Sequence, residues 1–198
     1  MLTSLPNLLT LSRIAVIPLV VATFYVPGGD SQWVAAALFT AACITDWLDG
    51  HFARRWKQQS EIGRFLDPIA DKLLVAAVLF MLAAFARISA LAIFPALVIL
   101  SREILVSGLR EYLAGLRVRV PVSKLAKWKT GIQMVAIAVL LVGDSGPPHV
   151  PVRWIGEALL WIAGGLTVKT GWDYLRAGLV HIQDDTPAAK AAKASPAS

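Results

Sequence analysis

Six apolar segments dominate this chain of 198 residues and constrain its fold more than any other feature. A helix that crosses a bilayer needs about 20 mostly apolar residues. Segments of that kind cover residues 6–26, 32–56, 62–86, 88–113, 125–142 and 152–175. The composition agrees, because only 16% of the residues are charged, against roughly 25% in soluble domains. The sequence therefore predicts an all-α integral membrane protein with six transmembrane helices.

A change of composition near residue 183 divides the chain into two predicted parts. Residues 1–182 hold all six apolar segments and are predicted to form one transmembrane domain. Residues 183–198 are rich in Ala, Lys, Pro and Ser. Because they have little apolar surface to bury, we expect them to form a disordered tail.

Lysine and arginine residues indicate which helix ends face the cytoplasm, since short cytoplasmic loops are enriched in these cations. They cluster between the second and third segments, between the fourth and fifth, and in the tail, whereas the opposite side has only Arg87 and Arg153 near helix ends. Both termini are therefore predicted to be cytoplasmic. The net charge of +6 indicates attraction to anionic lipid, and the sequence has no basic patch typical of nucleic-acid binding.

Four aspartates stand at the predicted cytoplasmic ends of helices two and three. Asp46 and Asp49 are three residues apart, and Asp67 and Asp71 are four apart, so the members of each pair share a helix face. If the two helices pack side by side, the pairs converge. Carboxylates held that close repel one another, and burial makes their ionisation costlier still. Such a cluster therefore calls for cations that neutralise it.

The chemistry of these side chains favours magnesium or manganese. Hard oxygen ligands select Mg²⁺ or Mn²⁺ over zinc, and two such ions about 3.5–4 Å apart suit a displacement at phosphorus. Each aspartate taken alone has another interpretation, as a helix cap or a salt-bridge partner. Four of them at paired helical spacings favour the metal site.

Small residues between the aspartates leave room for a ligand to approach the backbone. Gly50, Ala53 and Gly63 would admit a flat group or a diphosphate. Arg54 can pair with a phosphate as a bidentate donor. Its alternative role is that of a cytoplasmic anchor at the membrane edge.

The segment from residue 46 to residue 71 resembles the signature of the CDP-alcohol phosphotransferase family. All eight fixed residues of that signature are present at its spacing, D-x2-D-G-x2-A-R-x8-G-x3-D-x3-D. The stretches LPNLLTLSRI, SREILVSGLREY and KWKTGIQM are similar to the bacterial branch of the family that makes phosphatidylglycerophosphate.

The resemblance implies a reaction, a fold and a location. The implied enzyme transfers a phosphatidyl group from CDP-diacylglycerol to sn-glycerol 3-phosphate and releases CMP, a step of phospholipid biosynthesis. The implied fold has six transmembrane helices, usually as a homodimer in membrane lipid. Its polar cavity opens to the cytoplasmic side of the bacterial cytoplasmic (inner) membrane.

The resemblance also implies roles for individual residues. The implied metal ligands are Asp46, Asp49, Asp67 and Asp71. Asp71 would in addition act as the general base that takes the proton of the glycerol hydroxyl. The residues expected to bind CDP-diacylglycerol are Asn7, Thr10, Gly50, Ala53, Arg54, Ser60 and Gly63. Asn7 and Thr10 have an alternative role as helix caps, and Ser60 has one as a plain loop residue.

Four further cations are candidates for binding the anionic acceptor, glycerol 3-phosphate. Near the predicted cytoplasmic ends of helices four and five stand Arg102, Arg110, Lys127 and Lys129. Their side chains are suited to cradling a phosphate. Arg102 has an alternative partner in Glu103 or in a carboxylate of the signature.

Three rival interpretations remain open at this stage. Another acceptor, such as serine, inositol phosphate or phosphatidylglycerol, would use the same signature. A cation transporter or channel would also keep carboxylates in the membrane, although its carboxylates belong near the bilayer midplane rather than beside basic loops. A membrane scaffold without catalytic activity would have no reason to hold four carboxylates together.

Overall fold

A computed structural model describes residues 5–56, 61–115 and 124–184. These ranges hold six α-helices and one short 3₁₀ helix, Gly143–Ser145, and they contain no strand. The α-helices are α1 (Leu5–Thr23), α2 (Gly29–Trp56), α3 (Glu61–Ala84), α4 (Ile93–Gly115), α5 (Lys124–Val142) and α6 (Val152–Asp184). The prediction of six long helices is confirmed for this part of the chain.

The six helices pack as a closed ring. The order of the helices round the ring is α2, α1, α3, α4, α6 and α5, and α5 packs on α2 again. In addition, α3 contacts α5. Each helix contributes fully buried apolar side chains to a common core, among them Val20, Phe39, Leu82, Ile99, Leu140 and Leu160. The ring has a proximal end, where α1, α3 and α5 begin, and a distal end, where α2, α4 and α6 begin.

The helices that carry the aspartates, α2 and α3, share two neighbours in the ring. Among the described residues, α2 and α3 each pack extensively on α1 and also contact α5. Both helices are therefore held by α1 and α5, and the convergence of their aspartate pairs stays a prediction because the side chains of Asp49 and Asp67 lie outside the described set.

Two helix boundaries differ from the sequence-based prediction. The fourth helix begins at Ile93 and not near residue 88, because α3 ends in a tight turn. In that turn Ala86 adopts a left-handed φ of 53°, and the Arg87 N–H donates to the Leu82 carbonyl at 2.9 Å, as in a Schellman-type helix end. At the other boundary α6 continues to Asp184 and so includes the first two residues of the predicted tail, while residues 185–198 lie outside the described ranges.

Polar contacts close the distal end of the ring. Glu157 of α6, a buried carboxylate, accepts hydrogen bonds from the Ser89 backbone N–H and hydroxyl, both at 2.7 Å, and from Arg153 Nε at 3.3 Å. The Trp33 indole donates to the Ser145 carbonyl at 3.1 Å. These bonds tie the start of α6 to the loop between α3 and α4, and the start of α2 to the end of α5.

One apolar segment, Leu125–Ser145, comprises most of α5 and the 3₁₀ helix after it, and it is long enough and apolar enough by composition to cross a membrane. A shorter apolar segment covers Thr10–Thr23 of α1. In the described ranges no other helix satisfies both conditions. The remaining helices carry charged side chains, such as Asp71 in α3 and Arg102 and Glu103 in α4, which interrupt their apolar character.

Candidate active site

Charged side chains from neighbouring helices meet at the proximal end of the ring. Arg13 lies in the first half of α1, Asp46 in the second half of α2, and Asp71 in the first half of α3. Because consecutive helices run in opposite directions, these positions stand at the same end. Lys129, in the first half of α5, stands at the same end, and Arg102 lies near the middle of α4.

Arg13 and Asp46 form the ion pair that joins α1 to α2. One guanidinium nitrogen of Arg13, Nη1, lies 2.6 Å from Asp46 Oδ1, and the Arg13 side chain is only 1% exposed whereas that of Asp46 is 45% exposed. A buried cation needs such a partner, because transfer of an unpaired charge out of water is costly. Asp46 therefore makes the burial of Arg13 tolerable and is itself oriented by it.

Sequence reasoning missed Arg13, although a signal was present. It is a single cation inside an otherwise apolar helical stretch. An ionisable residue within such a segment is by default a functional or paired group. That rule would have identified Arg13 as a functional or paired group.

The structure brings Asp46 and Asp71 into electrostatic range of each other, together with Arg13 and Glu103. Lys72, the neighbour of Asp71, donates from Nζ to the Pro68 carbonyl at 2.8 Å. The Lys72 ammonium thus bonds to the backbone of its own helix. Two carboxylates with like charge are consequently near each other, with Arg13 as the cation paired with Asp46.

The donor set at this point suits a hard divalent cation. Asp46 and Asp71 supply carboxylate oxygens, the ligands that Mg²⁺ prefers, and their mutual repulsion falls when a cation lies between them. Among the residues whose side chains the structure describes, no group of three or more metal-binding side chains is found. Asp49 and Asp67 belong to α2 and α3 by backbone, but their side chains lie outside the described set.

A second cluster of charge stands on α4 and α5. Lys129 is 1% exposed and is paired with Glu103. The neighbouring Arg102 places Nη1 at 3.6 Å from a Glu103 oxygen and donates from Nη2 to the Thr170 hydroxyl at 3.3 Å. Lys129 is also within electrostatic range of Asp71. Of the predicted acceptor-binding residues, Lys129 therefore lies near Asp71, and Glu103 links it to Arg102.

The two other predicted acceptor-binding cations differ in their placement. Arg110 is exposed, but its guanidinium lies 5.6 Å from the ring centre of Tyr174 on α6 and within electrostatic range of Arg102. Lys127 lies two residues before Lys129, about 200° around the helix. Its exposed side chain lines an apolar groove with Trp128 and Val135 on the outside of the bundle. The structure thus groups Arg110 with the cluster and leaves Lys127 apart from it.

The predicted residues for CDP-diacylglycerol are only partly described. Thr10 is buried one turn before Arg13 on α1, at the sixth residue of that helix, so it does not hold a capping position. Asn7, Gly50, Ala53, Arg54 and Gly63 belong to helices by backbone, but their side chains lie outside the described set. Ser60 lies outside the described residues altogether.

Residues 3–169 match the CDP-alcohol phosphatidyltransferase family. The chain belongs to this family. The match spans more than four-fifths of the sequence and covers Asp46, Asp71, Arg102 and Lys129, whereas Thr170 and Tyr174 lie just beyond it. The resemblance found in the signature is confirmed.

Several known proteins are similar to this chain over most of its length. A protein of Rickettsia bellii is 47% identical over 174 residues, which cover 88% of this chain and 94% of that protein. One from Cereibacter sphaeroides is 39% identical over 92% of this chain and 98% of its own length. One from Shigella flexneri is 42% identical over 91% and 98%. All three are named CDP-diacylglycerol–glycerol-3-phosphate 3-phosphatidyltransferase.

We expect Asp46→Asn to destabilise the metal-free protein by about 1–3 kcal/mol, because it leaves the buried Arg13 guanidinium without its carboxylate. Thermal unfolding in detergent with a chelator present measures this loss. Asp30→Asn, at an exposed aspartate in the first turn of the same helix, is the matched control and should change little. The double variant Arg13→Met/Asp46→Asn should recover stability. A single Asp46→Asn variant that melts like the parent protein would contradict the pairing.

Proposed function

We propose that this protein transfers the phosphatidyl group of CDP-diacylglycerol to sn-glycerol 3-phosphate, giving phosphatidylglycerophosphate and CMP. The observation that carries the proposal is the proximity of two charge clusters. Asp46 and Asp71 are within electrostatic range of each other, Lys129 is within range of Asp71, and Glu103 links Lys129 to Arg102. Carboxylates with a metal suit a diphosphate donor, and cations suit a phosphorylated acceptor. The shared name of the similar proteins supports the same reaction.

Asp46, Asp49, Asp67 and Asp71 would hold magnesium or manganese, in our proposal two ions. When bound, the metal supplies charge neutralisation at the diphosphate of the donor. The protein's own contribution is to orient the ligands, and Arg13 does this for Asp46 through their ion pair. Asn7, Thr10, Gly50, Ala53, Arg54, Ser60 and Gly63 remain the proposed contacts to the rest of CDP-diacylglycerol.

Asp71 would act as the general base. The hydroxyl oxygen of glycerol 3-phosphate forms a bond to the phosphorus of the phosphatidyl group while the bond from that phosphorus to the CMP oxygen breaks. The hydroxyl proton passes to an Asp71 oxygen. Proton transfer by a positioned side chain contributes a factor of about 10²–10⁴ to the rate. Asp71 is within electrostatic range of Asp46, Glu103 and Lys129, and this proximity to both clusters supports the role.

Arg102, Arg110 and Lys129 would bind the acceptor phosphate. Lys129 is buried and paired with Glu103, so it is held in one orientation before the acceptor arrives. Such preorganisation lowers the entropic cost of binding. For Lys127 the exposed position beside Trp128 favours contact with lipid headgroups, and an acceptor role at that position has weaker support.

We further propose that all six helices span the bacterial inner membrane as a homodimer, with residues 1–182 as the catalytic domain and residues 183–198 as a tail. Trp154 and Trp172 of α6, 75% and 67% exposed, support the spanning arrangement. They are 18 residues apart, which is five helical turns and about 27 Å, so they share one face. Exposed tryptophans at that separation match the two interfaces of a bilayer about 30 Å thick. The proximal end, with its basic loops, would face the cytoplasm.

The proposed activity is tested by incubating the purified protein with CDP-diacylglycerol and one candidate acceptor at a time, and by measuring CMP release. We expect CMP release with glycerol 3-phosphate that stops with a chelator and returns with Mg²⁺. Serine, inositol phosphate and phosphatidylglycerol are the comparison acceptors. CMP release with one of these and not with glycerol 3-phosphate would overturn the proposed acceptor, and ion flux without CMP release would overturn the enzyme.

Asp71→Asn should give a protein that inserts and folds but releases almost no CMP. The amide keeps the size of the side chain and removes its ability to accept the proton, so turnover should fall by a factor of about 10² or more. The affinity for the nucleotide donor should fall much less. Near-normal turnover in this variant would remove Asp71 from the role of base.

A further inference from the structure

One face of α6 supports the two arginines of α4. Thr170, Gly171 and Tyr174 lie on this face, within about one turn of one another, and all three are buried. We propose that they are positioning residues that hold Arg102 and Arg110 ready for the phosphate of the acceptor. The inference rests on the proposed function and adds to it the last helix, whose residues the signature of the family does not include.

Thr170 fixes the end of the Arg102 side chain. Its hydroxyl oxygen accepts a hydrogen bond from Arg102 Nη2 at 3.3 Å. The same hydroxyl donates to the Leu166 carbonyl at 2.8 Å, one turn back on its own helix. Since the hydroxyl proton is engaged by the backbone, a lone pair of the oxygen remains directed at the guanidinium. Thr170 thus acts as a fixed acceptor for one corner of Arg102.

Gly171 allows the Arg102 side chain to lie against the α6 backbone. A Cβ atom at position 171 would stand 3.0 Å from Arg102 Cγ and 3.5 Å from Nε. A contact of 3.0 Å between carbon atoms is closer than their optimal separation of about 3.5–4.0 Å. Any larger residue at this position would therefore push the stem of Arg102 away from the helix.

Tyr174 provides the surface for the second arginine. The Arg110 guanidinium lies over its ring at 5.6 Å from the ring centre, within the range of a cation–π contact. Tyr174 is also within electrostatic range of Arg102. Its buried ring fixes where the otherwise exposed Arg110 stands.

Arg102 and Arg110 together are suited to bind an anion. Arg102 and Arg110 have like charge and act on each other electrostatically, so a bound phosphate would relieve their repulsion. Arg102 uses Nη1 toward Glu103 and Nη2 toward Thr170, while its buried Nε has no hydrogen-bond partner among the described residues. A guanidinium has five N–H donors, so Nη1 and Nη2 of Arg102 each keep a second N–H beyond the contacts to Glu103 and Thr170, and such donors suit a phosphate oxygen.

Gly171→Ala tests the inference, with Gly165→Ala as its matched control. Gly165 lies on the same helix and is exposed, and a Cβ atom added to it would meet nothing within 4 Å. We expect Gly171→Ala to raise KM for glycerol 3-phosphate by about 10-fold, the loss expected when a charged hydrogen bond is displaced. KM for CDP-diacylglycerol and kcat should stay within about 2-fold, and Gly165→Ala should match the parent protein in all three.

A second pair of variants keeps the test decisive if Gly171→Ala folds poorly. Tyr174→Leu removes the aromatic face and should raise KM for glycerol 3-phosphate by about 2–5-fold, whereas Tyr174→Phe keeps the face and should change it less. Arg110→Gln should abolish the difference between the two Tyr174 variants, because residues that act through one another are not additive.

The outcomes separate this inference from the proposed function. If the parent protein releases CMP with glycerol 3-phosphate but Gly171→Ala and Tyr174→Leu leave its KM unchanged, the inference fails and the function stands. A fall in kcat together with equal rises in both KM values would show a merely structural role and would also overturn the inference. If the parent protein uses no phosphorylated acceptor, the proposed function fails first.

Discussion

The structure depends on the pairing of two buried cations with carboxylates in an apolar ring of helices. Arg13 is almost inaccessible to solvent, and so is Lys129, yet each lies against a carboxylate, Asp46 and Glu103 respectively. A charge in such surroundings is tolerated only with a partner. Because the four residues come from four helices, satisfying these charges fixes how α1, α2, α4 and α5 approach one another at the proximal end.

The same constraint explains why the site stands where it does. The distal end is closed by neutral hydrogen bonds and by the Glu157 contacts, whereas the proximal end collects Asp46, Asp71 and the cations around them. Two negative groups in range of each other leave a region that a divalent metal would stabilise. Donor and acceptor phosphates would then find complementary charge on the two sides of Asp71.

Much of this could be predicted from the sequence. The apolar segments predict the six helices, and the paired aspartates predict a site at one end, because both signals are local. The role of α1 as the helix between α2 and α3, the Arg13–Asp46 pair and the Thr170–Arg102 contact could not be predicted in that way. They join residues that are 33 and 68 positions apart, and helical periodicity shows which face a residue occupies but not which helix meets it. Lys127 and Lys129 are a different case, because helical periodicity alone places them on different faces of α5 although they are close in sequence.

We propose that the aspartates of α2 and α3 bind divalent cations together. Electron paramagnetic resonance of Mn²⁺ titrated into the purified protein, with CDP-diacylglycerol present, counts the bound ions directly. We expect saturable binding of about two Mn²⁺ per chain at a site of oxygen ligands, with binding lost when Asp46 and Asp71 are both replaced by Asn. Absence of bound Mn²⁺ in the parent protein, or unchanged binding in the double variant, would contradict it.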